Sequence, residues 1–264
     1  MCSISASGRL EQLLELVELN RYRGEESHSI TQFNWIKSDL NERHQRHAFG
    51  CALYDNMSPM RPFIIKQHKA YGPLDEKELY GDTLCTCRPD QDWDYCIVHQ
   101  QAPTSKEVNN TDLATGRFIH PAEIDRSYLW HNGIIKEGKF EGEWDTEWLL
   151  DIAKDDLDKS SIDEYRTIVK GFVPKLNSVD GTFACMIMYD KGDNFGDQIY
   201  AFRNEISPLF VDDSKDELPS FSSTKAEGFI PLDPNTMFMV DHNNTTMKKL
   251  WKFKTKENPY HFGE

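Results

Sequence analysis

The last third of the chain constrains the fold most. Between Gly181 and His242 five short apolar segments follow one another: "GTFACMIMYD", "QIYAFRN", "PLFVDD", "PSFSST" and "TMFMVDH". Each has the length and residue types of a strand, and turn-forming residues separate them. Upstream, "HAFGCALYD" (47–55) and "PFIIKQHKAYG" (62–72) read as strands. So does "YCIVHQQAP" (95–103), which Pro103 ends. "RSYLWHNGII" (126–135) reads as a strand that breaks at the turn dipeptide Asn132-Gly133. In "GRLEQLLELVELN", Leu10, Leu13, Leu14 and Val17 fall at i, i+3, i+4 and i+7, one stripe of an amphipathic helix. Two further helices interrupt the strands. "WDTEWLLDIAKD" opens on Asp145 and Thr146, residue types that favour an N-cap. "SSIDEYRTIVKGFVPKL" has Ser161 and Glu164 at capping-box spacing, with Ile162, Tyr165, Ile168, Val169 and Phe172 on one face. Helices set into a mostly antiparallel β pattern predict an α+β layered fold. No repeat, low-complexity block or Pro/Gly/Ser-rich linker divides the 264 residues, so one domain over 1–264 is expected.

Charge and composition narrow the function. Lys and Arg number 30 and Asp and Glu 44, a formal net charge of −14. That balance argues against nonspecific binding to nucleic acid or to an anionic membrane. The basic stretch "MKKLWKFKTK" reads as the exposed face of a closing strand. No apolar run reaches the ~18–20 residues a bilayer span needs. The first residues lack the basic and apolar regions of a signal peptide, so a cytoplasmic location is expected. Six cysteines in such a chain are expected as thiols. Cys85, Cys87, Cys96 and His99 have the residue types of a zinc site. Their spacing is unlike the usual C-x₂-C pairs, and Cys96 and His99 fall on opposite faces of one predicted strand. His44 and His47 in "RHQRH" read as a solvated loop. No metal and no cofactor are expected.

The chain opens "MCSI". Cys is small enough for Met1 to be removed, which leaves a thiol and a free α-amine on one residue. That amine, with a reference pKa near ~8, is a base at neutral pH, and the thiol is a strong nucleophile. The segments "MCSI", "YRGEESHSI" (22–30), "VHQQAPT" (98–104), "HNGII" (131–135), "DTE" (145–147), "DGTFA" (180–184), "RNEISPLF" (203–210) and "SSTKA" (222–226), in this order, resemble the glutaminase domain of class II glutamine amidotransferases. These are members of the N-terminal-nucleophile hydrolase superfamily. The resemblance covers nearly the whole chain. It implies a four-layer αββα sandwich of two antiparallel sheets between helices.

It also implies roles. Cys2 would attack the side-chain amide of glutamine. Its α-amine would move the proton to departing ammonia, and water would hydrolyse the thioester to glutamate. Asn132 and Gly133 would form the oxyanion hole, where losing one donor typically costs ~10²–10³ in turnover. Asp145 would pair with the α-ammonium of glutamine. Arg23 and Gly24 match an early "RG" of the family as site architecture, and Thr104 falls in the substrate-binding segment. Arg203, Pro208 and Leu209 resemble a structural "RD…RPL" segment, with Asn204 where Asp is usual. The chain departs from the family at Gln101, where an arginine commonly grips the glutamine α-carboxylate. A neutral amide supplies no charge or bidentate fork, so Lys106 or Arg117 would have to substitute, or glutamine binds weakly, or the substrate differs.

The expected activity is therefore glutamine hydrolysis with ammonia passed to a separate synthetase-like acceptor protein, since the sequence holds no Gly-rich phosphate loop. The alternatives are a γ-glutamyl amide hydrolase on another substrate, and a catalytically decayed interaction or sensing protein.

Overall fold

A computed structural model describes residues 2–24, 27–37, 60–71, 74, 94–102, 118–125, 127–136, 144–158, 171–189, 199–214, 217–241 and 245–255. The strands are β1 (Ser3–Ser7), β2 (Ser27–Lys37), β3 (Met60–Tyr71), β4 (Tyr95–Gln101), β5 (Ala122–Ile124), β6 (Ser127–Ile135), β7 (Gly181–Tyr189), β8 (Ile199–Arg203), β9 (Phe210–Asp212), β10 (Ser220–Ser222), β11 (Ile230–Pro231), β12 (Thr236–Asp241) and β13 (Thr246–Lys252). The helices are α1 (Leu10–Asn20), α2 (Asp145–Asp158) and α3 (Phe172–Leu176). A single 3₁₀ turn, Arg21–Arg23, extends α1.

Two antiparallel sheets form. One runs β11-β9-β10-β1-β4-β2-β3 and the other β13-β12-β8-β7-β6-β5. The two-residue period of the strands splits their side chains among three packing layers. On β7, Phe183, Cys185 and Ile187 face α2 and α3, among Leu149, Leu150, Ala153, Phe172 and Leu176. Ala184, Met186 and Met188 face the other way, into the layer between the sheets, with Ile4, Ala6, Tyr95, Ile97 and Trp130. On the far side of the first sheet, Ile30, Cys96 and Val98 meet Leu13 and Val17 of α1. Helix, sheet, sheet and helices thus stack as the expected αββα sandwich. No helix among the described residues is long and apolar enough to cross a membrane.

Three features differ from the sequence reading. β6 does not turn at Asn132-Gly133 but runs straight through, with Asn132 opposite Ala184 and Gly133 opposite Phe183 on β7. The strand partner on β7 overrides the local turn preference of Asn-Gly. Asp145 is not the cap of α2: the Trp144 carbonyl accepts the first helical bond, from Trp148 N–H at 2.9 Å, which makes Trp144 the N-cap. β2 was not among the expected strands. Its polar run is held between β3 and β4, with Ser27 opposite Gln101 and Ser29 opposite His99. The segment 47–55 lies outside the described residues, as does most of the helix expected over 160–176, whose described end is α3.

Candidate active site

Cys2 sits at the head of β1, 5% exposed. β1 lies between β4 and β10 and pairs with both. On its Ile4 side, Ile4 N–H donates to Ser223 Oγ at 2.9 Å, and Ser223 N–H donates back to Ile4 O at 2.9 Å. Arg23, itself buried, donates from Nε to Cys2 O at 3.2 Å. A charge-assisted bond of this kind contributes ~1.5–3 kcal/mol net. Gly24 has to be a glycine, because any Cβ there would run into the Gln100–Gln101 peptide of β4. That close approach brings Arg23 beside Cys2. The Cys2 thiol donates to Ala102 O at 3.7 Å. Burial raises its pKa above the ordinary thiol value; the nearby Asp145 carboxylate pushes the same way and the Arg23 guanidinium opposes it.

β1 packs against β6 across the layer between the sheets. There Asn132 donates from Nδ2 to Ser223 Oγ at 3.3 Å, the same hydroxyl that receives Ile4 N–H. An amide NH₂ carries two protons, so Asn132 keeps a second donor. Gly133 is placed differently. Its partner Phe183 gives both backbone groups to Asn204: Phe183 N–H donates to Asn204 Oδ1 at 3.3 Å, and Asn204 N–H donates to Phe183 O at 2.9 Å. Opposed residues that exchange no ladder bonds turn both backbone groups outward. Gly133 N–H therefore points off the far edge of β6. β5 has already ended there, at Ala122 opposite Leu129.

Side chains fill that open edge on either side of the Gly133 amide. His99 Nε2–H donates to His131 O at 3.0 Å, and Ile135 N–H donates to Asp145 Oδ2 at 3.1 Å. Among the described residues nothing accepts the Gly133 N–H between them. Gly133 holds a φ of 152°, and a Cβ on it would strike the Thr182 carbonyl. Only glycine keeps both this backbone and this approach.

Behind the edge lies a buried polar chain. Thr182 O meets His131 Nε2 at 3.3 Å, and His131 Nδ1 meets Thr146 Oγ1 at 3.2 Å. Thr146 Oγ1 also meets His120 Nε2 at 3.1 Å, and His120 Nδ1 lies 3.1 Å from the Gln101 carboxamide. Ser27 Oγ lies 3.3 Å from the same carboxamide atom. His99 stacks on His120 with ring centroids 3.8 Å apart. Burial lowers the pKa of His99 to about 3 and holds that of His120 well below its ordinary value, so both rings are neutral at pH 7. The Lys69 ammonium acts on His120 in the same direction and donates to Pro121 O at 2.7 Å.

With this geometry in hand, known proteins give a comparison. Neither family models nor curated proteins match the sequence. Among solved structures, the fold is similar to that of the glutamine phosphoribosylpyrophosphate amidotransferase of B. subtilis. The TM-score is 0.53 at 14% identity, over 96% of this chain and 49% of that one. The chain carries the same four-layer αββα fold. It spans about half the length of that protein. A glutamine aminotransferase class-II domain protein from Silicibacter pomeroyi aligns over 95% of this chain and 100% of its own, with a TM-score of 0.46 at 11% identity.

Within this fold, Cys2 is in direct contact with Arg23 and Ala102, and Asp145 lies within electrostatic reach of Cys2. Asn132 joins them through Ser223. Thr104, Lys106 and Arg117 lie outside the described residues, as do Cys85, Cys87, His44 and His47. Cys96 faces α1 while His99 faces the other sheet, as their spacing predicts, and no metal-binding group of side chains occurs among the described residues.

Asn204, just after β8, braces the β7–β8 corner. Its Oδ1 accepts from Phe183, Ile206 and Ser207 N–H, and its Nδ2 donates to Gly181 O at 2.9 Å. An aspartate could accept those three bonds but could not make the fourth. Sequence reasoning did not single out Ser223, His120 or the hydroxyl of Thr146. Ser223 lies inside the "SSTKA" segment, and Thr146 is a residue type that favours an N-cap.

Proposed function

We propose that the chain is a glutamine amidotransferase-type hydrolase acting through an N-terminal Cys2. One observation carries the reading: the Gly133 amide, which no described residue accepts, on the edge of β6 beyond β5, with Asn132 beside it and the buried Cys2 thiol at the head of the facing strand β1. In this reading Met1 is removed, and the α-amine of Cys2 takes the thiol proton as sulfur attacks the glutamine side-chain carbonyl. The raised thiol pKa makes such a base necessary, because little thiolate exists beforehand at neutral pH. Negative charge then develops on the carbonyl oxygen, where the Gly133 N–H and the second Asn132 N–H meet it. The tetrahedral species collapses to a thioester and ammonia leaves with the proton held by the amine. Water, activated by the same amine, releases glutamate. Asp145, at the first turn of α2, pairs with the substrate ammonium, and ammonia passes in the cytoplasm to a separate acceptor protein.

The experiment is direct. Intact-mass measurement is expected to show Cys2 as the first residue, and glutamate release from glutamine is expected to fall at least ~10⁴-fold in Cys2→Ala. Retained Met1 together with no hydrolysis defeats the reading in favour of an interaction or sensing protein.

A second reading, a γ-glutamyl amide hydrolase on another substrate, is favoured by the engagement of Gln101 with Ser27 and His120. Release of ammonia or amine from γ-glutamyl amides at rates well above those from glutamine decides for it.

A further inference from the structure

The polar chain from Thr182 to Gln101 has four links but too few protons for the atoms at its ends. The Thr182 carbonyl only accepts. With the Gln101 oxygen facing His120, that end only accepts too. Two neutral imidazoles and one hydroxyl then supply three protons for four hydrogen bonds, and one link has to fail. A cationic histidine would supply the fourth proton, but both rings are buried, where a charge is costly to hold.

Rotating the Gln101 carboxamide by 180° exchanges its oxygen and nitrogen without moving another atom. We infer that Gln101 turns its NH₂ to His120 Nδ1 and Ser27 Oγ, and that residue 101 is a positioning residue whose task is to donate into this chain. Every link is then satisfied in one direction. Gln101 Nε2–H donates to His120 Nδ1, His120 Nε2–H to Thr146 Oγ1, Thr146 O–H to His131 Nδ1, and His131 Nε2–H to Thr182 O. The last acceptor is the carbonyl against which Gly133 packs. A residue on β4 thereby sets the hydrogen bonding behind the Gly133 amide on β6, through the first turn of α2.

Both N–H groups of Gln101 are spent in this arrangement, so it offers a ligand only its oxygen. It does not take over the gripping of a substrate carboxylate.

The primary test needs no variant. Long-range ¹H–¹⁵N spectra of the ¹⁵N-labelled protein at neutral pH are expected to show His120 and His131 as neutral rings protonated on Nε2, with Nδ1 bare. A proton on His120 Nδ1, or a cationic ring at either position, overturns the inference. This result stands apart from the proposed activity and holds or fails even if glutamine is not the substrate.

The activity arm rests on that activity. Gln101→Glu puts an acceptor where a donor is needed, so its chain works only with one added proton. The titratable and charged groups around it are His99, His120, His131 and Lys69, with Cys2, Arg23 and Asp145 on its Ala102 side. Turnover of the variant is expected near wild type at ~pH 6 and about tenfold lower at ~pH 8, with KM changed less than twofold. A variant that follows the wild-type pH profile across that range overturns the inference.

Discussion

The two halves of β6 have the same partner on one side and different partners on the other. From Ser127 to Trp130 the strand lies between β5 and β7, and Leu129 and Trp130 are fully buried in two hydrophobic layers. From His131 onward β7 continues, but β5 is gone, and the edge is taken by His99 and Asp145. Strand pairing satisfies every backbone group along an edge; side chains satisfy chosen ones. Among the described residues, the second half can therefore leave one amide open between two filled positions, which a longer β5 would have covered. The difference teaches that the site depends on where a three-residue strand stops.

Gly133→Ala breaks this contrast hardest. Its backbone is strained for any other residue and its Cβ meets the Thr182 carbonyl, so stability is expected to fall by more than ~3 kcal/mol, with hydrolysis lost. Thermal unfolding and glutamate release read both; an alanine variant with normal stability and turnover ends the case for the open edge. Leu129→Ala probes the paired half. It is expected to cost ~2–5 kcal/mol in urea unfolding while kcat of the folded fraction stays within about twofold. A matching collapse of kcat erases the division of labour.

Asn132→Ala should do the reverse, lowering kcat by ~10²–10³ while costing only ~1 kcal/mol of stability through its single bond to Ser223. The last prediction concerns pH and leaves turnover at neutral pH aside. His99 is neutral in the folded protein down to about 3, whereas unfolded histidine takes a proton near ~6.5. Between those values the unfolded state binds more protons, so this contribution is complete above ~6.5 and declines as pH falls toward 3, by up to ~1.4 kcal/mol per pH unit. His99→Gln should flatten that slope in urea titrations repeated across the window; an unchanged slope places the titration elsewhere.

Much of this was legible from residues alone. The unbroken apolar run in "GTFACMIMYD" reads as a strand, and the structure buries it on both faces, dividing its side chains between two layers. The stripe of Leu13 and Val17 marks the face of α1 that packs on the first sheet. The opposed faces of Cys96 and His99 follow from their spacing. What was not legible depends on partners distant in sequence. Asn-Gly is a turn signal unless a strand such as β7 claims it. Thr146 looks like a cap until two histidines, at 26 and 15 residues' separation, converge on its hydroxyl. β2 is too polar to announce itself, and its place follows from pairing with β3 and β4.

The side of β1 away from β6 is lined with hydroxyls. Ser5 Oγ donates to Leu16 O, and Asn20 Nδ2 at the end of α1 reaches Ser5 Oγ on β1 and Ser222 Oγ on β10. Aliphatic faces tolerate sliding by a fraction of a turn, since one methyl contact replaces another. Directional bonds to fixed oxygens do not. α1 is thus keyed to two strands at once, and β1 has one permitted longitudinal position beneath it. The thiol at its head inherits that precision from the opposite side of the sheet, far from any atom that would react with it.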